Sequence, residues 1–334
     1  MKEVNRQMAT KNNPTFSFED ATRTACKASI MIEGLPGRGK TGLALMMGYI
    51  LSDEDWSKVF HVDTENSSAR LFVDIDSSMG GKFGKFKVAD FSEEIGFKPS
   101  NYLAYRQAAI NAGAKTVIFD SISHAWNYKG GVLDLVSQAK ATNSRYAKDS
   151  YAAWGDETVV KEKNELLELI RTNKAHMITT VRVKEKMEYE VGPDGKNKLV
   201  SLGEQQIQQA DLKYEPDLVL QMQKAGSNKN GVIKHPIALC TKSRYAIFTE
   251  GETYEFTPEL IKQLKEYLEK GVDPETLLQK QKDEYLNALK QYFTEKPAAK
   301  QIWDIMKKDA GFGETQAKDI PLSDLKQLYV RITT

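Results

Sequence analysis

The chain has 334 residues, with 47 Lys and Arg against 46 Asp and Glu for a net charge of +1, so no global field draws it to nucleic acid or a membrane. Its two cysteines, Cys26 and Cys240, lie far apart without metal-ligand spacing and its four histidines are scattered, which excludes a disulfide scaffold or zinc module and fits a reducing cytosol. No apolar run reaches the roughly 18 to 20 residues of a membrane span, and the N-terminus lacks the apolar segment of a signal peptide, so a soluble cytoplasmic protein with no membrane partner is expected.

Residues 1–15 are polar and read as a flexible arm. The apolar run Ala28-Ser29-Ile30-Met31-Ile32 predicts a strand, and Gly34-Leu35-Pro36-Gly37-Arg38-Gly39-Lys40-Thr41 then spells G-x-x-x-x-G-K-[ST], with Gly42 opening a helical pattern. Strand, phosphate loop and helix in this order imply a nucleotide-binding fold. Glycines let successive backbone N–H groups curl toward one anion, and the helix adds its positive end. Lys40 reaches the β- and γ-phosphates, and the Thr41 hydroxyl holds Mg²⁺.

A second strand is predicted over 58–63, ending in Thr64-Glu65-Asn66, a third over 85–91, and a helix over 102–112. The β-branched run Thr116-Val117-Ile118-Phe119 stops at Asp120, the pattern of a buried parallel strand whose end faces a ligand. A helix over 159–173 leads into a strand over 176–181. After Arg182, residues 186–191 and 196–202 read as a hairpin around Gly192-Pro193-Asp194-Gly195. Strands are predicted over 218–223 and 237–241, with another over 245–249. Thr257-Pro258 starts a helix that Gly271 ends, and amphipathic helices follow, with Leu278, Ile302, Trp303, Ile305, Met306 and Leu325 in their apolar set. The division is an arm over 1–15, an α/β core with a mostly parallel sheet flanked by helices over 16–256, and a small helical region over 257–334.

Hydrolysis needs a metal-orienting carboxylate and a group that aligns water. Asp120 suits the first role, with a strand-end helix cap as its alternative; Glu65 suits the second, with a solvated loop glutamate as its alternative. Thr179 and Thr180 are sensor candidates or simply β-branched strand residues. Lys242 and Arg244 occupy alternate positions, suited to reach a neighbouring subunit's nucleotide as fingers or to form a surface charge pair. No guanine-reading N-K-x-D stands out, which favours ATP over GTP.

Together, Gly34 to Thr41, Val62-Asp63-Thr64-Glu65, Val117-Ile118-Phe119-Asp120-Ser121 and Lys242-Ser243-Arg244 resemble the RecA-like ATPase core. Phe16 with Ala21-Thr22-Arg23, Asp120 to Trp126, Thr180-Val181-Arg182-Val183-Lys184 and Tyr214-Glu215-Pro216-Asp217 look like phage-encoded ATP-binding proteins of the single-strand annealing and recombination type, over roughly residues 16 to 250. Where RecA has a glutamine after its sensor strand, this chain has Arg182, which joins the sensor set. The resemblance implies a ring or filament of identical subunits acting with ATP and Mg²⁺ on single-stranded DNA in a bacterial host cell, alongside other recombination or replication proteins. Independently, Lys129, Lys140, Arg145 and Lys148, and then Lys184, Lys186, Lys196 and Lys198, interleave with tyrosines as a strand of nucleic acid requires, although Glu185, Glu188 and Glu190 interrupt the second patch, which an ordinary solvated charged hairpin explains equally well. Other readings are a nucleotide-gated DNA-binding module with dispensable hydrolysis, a helicase-related ATPase or loader, and a small-molecule phosphotransferase with Lys184 or Arg182 as a lid cation.

Overall fold

A computed structural model describes residues 21–91, 94–148, 151–171, 174–191, 197–224, 227–228, 231–232 and 235–333. The arm expected over 1–15, Phe16 and the hairpin tip at 192–195 lie outside the described residues. The chain divides into two compact units, residues 26–268 and residues 1–25 with 269–334.

The larger unit holds strands β1 (Ser29–Gly34), β2 (Val59–Asp63), β3 (Lys87–Asp90), β4 (Thr116–Asp120), β5 (His176–Val191), β6 (Asn197–Gln206), β7 (Leu218–Met222), β8 (Ser227–Asn228), β9 (Gly231–Val232), β10 (Ile237–Ser243) and β11 (Thr253–Glu255). Nine of them form one sheet in the order β11-β10-β7-β1-β5-β4-β2-β3, with β6 pairing β5, while β8 and β9 pair with each other. The strands from β7 through β3 are mutually parallel, and β10 and β11 add an antiparallel edge. Its helices are α1 (Lys40–Leu51), α2 (Pro99–Asn111), α3 (Ser123–Asn127), α4 (Val132–Thr142), α5 (Ser144–Lys148), α6 (Glu157–Ile170) and α7 (Pro258–Glu269).

Side chains alternate across each strand, so one apolar run feeds two cores. Ile30, Ile32, Ile118, Ile178, Leu218 and Leu220 pack with α1 and α7 on one face. Met31, Val117, Phe119, Met177, Val181 and Val219 pack with α2, α4 and α6 on the other. A slip of one residue in β4 would exchange Ile118 for Phe119 and break both layers.

Three sequence expectations change. The strand expected to end at Val181 continues to Val191: beyond Arg182, β5 leaves the sheet and pairs only with β6, so its composition turns polar while its backbone stays extended. Residues 245–249 form a turn rather than a strand. Ser243 Oγ accepts the Tyr245 N–H at 3.0 Å and donates to the Tyr245 carbonyl at 2.9 Å, and β11 takes the place beside β10. The core unit extends past 256 because Ile261, Leu264 and Leu268 of α7 are buried in the first core layer.

In the smaller unit, α8 (Pro274–Glu295), α9 (Ala299–Asp309) and α10 (Leu322–Thr333) enclose Leu289, Trp303, Met306, Ile320, Leu325 and Leu328. Asp273 caps α8 by accepting the Thr276 N–H at 2.9 Å, and Pro274 sits in the first turn. Helix α9 turns Ala299, Trp303 and Met306 inward, which leaves Ile302 and Ile305 exposed, as is Leu278 on α8. Gly271, at φ 117°, has no room for a Cβ, which would stand 2.4 Å from the Arg23 carbonyl oxygen.

Candidate functional site

The loop after β1 runs at the C-terminal end of the parallel strands, where ligands of such sheets bind. Two glycines make it possible. A Cβ on Gly34 would stand 2.9 Å from Met222 Cβ, and Gly39, at φ 81°, caps α1 in the left-handed region. Lys40 Nζ donates to the carbonyls of Gly34 at 2.9 Å and Leu35 at 3.2 Å, so the ammonium lies across the mouth of its own loop. Burial pulls its pKa down, and the neighbouring Asp120 and Glu65 oppose that shift.

Sheet order brings the remaining groups together. Because β5 lies between β1 and β4, the first turn of α1, the end of β4 and the middle of β5 converge. Asp120, 2 % exposed, receives the Thr41 hydroxyl on Oδ2 and the Thr180 hydroxyl on Oδ1. Thr179 faces the other way and donates to the Ile30 carbonyl at 3.3 Å, so only Thr180 of the two touches Asp120. His61 Nε2 stands 3.9 Å from Asp120 Oδ2, and neither ring nitrogen makes a hydrogen bond. Burial holds this imidazole's pKa below its ordinary value.

Glu65 follows β2, and its Oε1 accepts from Arg182 Nε at 2.8 Å. Sequence reasoning did not identify the groups that set this loop. Asp63 accepts the N–H groups of Glu65 at 2.6 Å and Ala69 at 2.8 Å. The Thr64 hydroxyl lies 2.9 Å from His124 Nδ1 and accepts the Ser121 N–H at 2.7 Å, joining the loops after β2 and β4. Asp63 and Thr64 stood beside Glu65 in the sequence, but only the fold shows which way they point.

Two clefts flank the phosphate loop. One, of about 400 Å³, is apolar and lined by Gly39, Gly42, Leu43, Phe72, Met79 and Phe83. The other, of about 720 Å³, runs along Leu35, Pro36, Gly37, Arg38 and Gly39 to Lys224 and His235. A polar cavity of about 740 Å³ lies beyond β1, where Glu33 accepts from Gln206 and burial raises its pKa.

The cation pair is placed differently from the central groups. Lys242 Nζ donates to the carbonyls of Lys213, Tyr214 and Pro216, and Arg244 Nη1 pairs with Asp217 at 2.9 Å, so both hold the 213–217 segment of their own chain. Of the candidate nucleic-acid contacts, Lys129 and Arg145 are exposed near α3 and on α5, Lys140 is half-buried on α4, and Lys184 is exposed on β5. Lys186 lies on β5, and Lys198 pairs in register with Glu190. Lys148 ends α5, and Lys196 lies outside the described residues.

Magnesium prefers an all-oxygen octahedral shell. The Thr41 hydroxyl and Asp120 carboxylate offer adjacent oxygen donors, which fits. Among the described residues no group of three or more His, Cys, Asp or Glu could hold a metal, so phosphate oxygens and water would complete that shell.

A parallel sheet, a glycine loop opening a helix and an acid at the end of β4 define a P-loop nucleotide-binding domain. Residues 26–255 match the AAA_24 family, described as an AAA domain, and the chain belongs to that family of P-loop NTPases. No curated protein matches the chain. Among the described residues, no helix is long and apolar enough to cross a membrane.

Proposed function

We propose that this chain is a magnesium-dependent ATPase that couples its nucleotide cycle to single-stranded DNA, in recombination or annealing of the phage type. The observation that carries the enzymatic part is the convergence on Asp120 of hydroxyls from the phosphate-loop helix and from β5, with Glu65 paired to Arg182 two residues beyond Thr180 on that strand. The backbone N–H groups from Gly37 to Gly42 and the Lys40 ammonium bind the phosphates, Lys40 exchanging its loop carbonyls for phosphate oxygens. Thr41 and Asp120 would hold magnesium, which supplies charge neutralisation on the phosphates. Glu65 accepts a proton from the attacking water, and Arg182, already on that carboxylate, senses its state. The apolar cleft beside Gly42 takes the nucleobase, its volume lying in the roughly 300–1,000 Å³ range of small-molecule sites.

Lys184 and the hairpin lysines, with Lys129, Lys140, Arg145 and Lys148, supply phosphate contacts to the DNA. In a homo-oligomeric ring or filament, Lys242 and Arg244 leave the 213–217 segment to complete a neighbour's site. The test is steady-state ADP release with and without single-stranded DNA at two salt concentrations. Stimulation by DNA that fades steeply with salt is expected, and turnover indifferent to DNA refutes the coupling. Glu65→Gln is expected to retain bound ATP with turnover lost. Normal turnover in that variant removes Glu65 as the base.

A second reading is a nucleotide-gated DNA-binding module with slow, dispensable hydrolysis. The Glu65–Arg182 pair favours it, since Glu65 Oε1 is already occupied by the Arg182 guanidinium at 2.8 Å instead of standing open to a water. DNA annealing that survives Glu65→Gln selects the module, and annealing lost with turnover selects the ATPase cycle.

A further inference from the structure

Among the described residues, Asp63 touches neither the phosphate loop nor Asp120 through any hydrogen bond of its side chain, yet it is the group around which the Glu65 loop is wound. It ends β2 and is 2 % exposed. Its two carboxylate oxygens are used separately: Oδ1 accepts the Glu65 N–H at 2.6 Å and Oδ2 the Ala69 N–H at 2.8 Å. Between those donors the chain makes a left-handed turn, with φ 57° at Asn66 and 60° at Ser67. Asparagine adopts this region readily and serine does not, so contacts from outside the turn help to hold it, the Ser67 hydroxyl donating to Asp90 Oδ1 at 2.8 Å among them. A carboxylate with two acceptor oxygens can hold the turn too, because it satisfies the donors at its start and end at once. The main chain of Asp63 is fixed independently, since its carbonyl accepts the Phe91 N–H at 2.8 Å and the following Thr64 N–H donates to the Asp120 carbonyl at 2.9 Å.

We infer that Asp63 is the positioning residue of Glu65: it sets the height of the Glu65 Cα above the sheet and so the reach of the Glu65 carboxylate toward the attacking water. The inference rests on the reading of Glu65 as the general base. Asparagine at this position keeps the shape but has one acceptor oxygen and turns an NH₂ toward the other backbone donor. The loop then releases either Glu65 or Ala69.

The test compares Asp63→Asn, Glu65→Gln and the double variant in the full chain, with single-turnover ATP cleavage and calorimetric binding of a non-hydrolysable ATP analogue. Asp63→Asn should lower the cleavage rate about 10- to 100-fold, the scale of a misplaced catalytic group, with analogue affinity within about twofold of wild type. On the Glu65→Gln background the same change should alter residual cleavage by less than about twofold, because there is no base left to misplace. Equal losses on both backgrounds, a wild-type rate, or a loss confined to affinity would overturn the positioning role. A full rate in Glu65→Gln overturns the base assignment instead, so the two failures are distinct. Should Asp63→Asn not fold, hydrogen exchange of residues 64–70 in the unaltered protein decides. Protection of about tenfold or more is expected, and exchange at the free-peptide rate overturns the inference.

Discussion

Thr179 and Thr180 are adjacent, both fully buried and both hydroxyl donors, but they face opposite sides of β5, which makes them a matched pair for testing the site's electrostatics. Thr180→Val removes one of two hydroxyls that serve the buried Asp120 carboxylate and replaces it with a methyl of nearly the same size. A hydrogen bond to a charged group contributes about 1.5–3 kcal/mol, and its loss leaves a carboxylate oxygen buried without a donor. Thr179→Val removes a 3.3 Å bond to a neutral carbonyl, a loss of about 0.5–1.5 kcal/mol. In a core unit of this size, where 1 kcal/mol corresponds to about 2–4 °C, the expected falls in Tm are about 6 °C for Thr180→Val and about 3 °C for Thr179→Val. Thermal unfolding followed by calorimetry and circular dichroism measures both. ATP turnover should fall with Thr180→Val and be nearly unchanged with Thr179→Val. Equal shifts in the two variants, or an undiminished rate in Thr180→Val, would refute the claim that Thr180 serves Asp120 while its neighbour serves only the sheet.

Lys40→Ala should abolish tight nucleotide binding in calorimetry, since its ammonium is the cation lying across the loop carbonyls of Gly34 and Leu35, and retained affinity would displace the phosphate site. Phe72→Ala should weaken ATP about 5- to 10-fold, the scale of one aromatic stacking contact, yet leave inorganic triphosphate binding unchanged; equal loss for both ligands would remove the base cleft. His176, whose Nδ1 accepts the Ala28 N–H at 3.0 Å, is held neutral by burial and by Lys27, with its pKa pushed down to about 3. Its folded pKa lies below the unfolded value, so the unfolded chain binds the extra proton. The stability this residue contributes is complete above about pH 6.5 and is lost as pH falls toward 3, at about 1.4 kcal/mol per pH unit. Urea unfolding at pH 7 and pH 5 should therefore show about 2 kcal/mol of loss in the wild type that His176→Gln lacks, and parallel losses in both proteins would exclude His176 as the source.

What the sequence made legible was local. The phosphate loop needs glycines, a lysine and a threonine within a few positions, and the run ending at Asp120 carries its own burial signal. What it hid depends on sheet order or strand direction. The Glu65–Arg182 pair joins residues 117 positions apart, and Thr180 was separable from Thr179 only once the register of β5 against β1 and β4 was known. Polarity after Arg182 read as a new element because burial changes there although the backbone does not. Ile302 and Ile305 read as core because their spacing from one another is helical. Trp303 and Met306 share that spacing one position on and define the inward face instead.

The continuity of β5 has a mechanical consequence. Sixteen extended residues span roughly 50 Å, the first part clamped between β1 and β4 and the rest cantilevered as a ribbon with β6. Such a beam needs no separate joint to carry a tilt outward from beside Asp120. The register shift between Glu185 and Met187 interrupts the ladder partway along the ribbon, and residues inserted in pairs beyond it would extend the ribbon's reach while keeping which positions share each face.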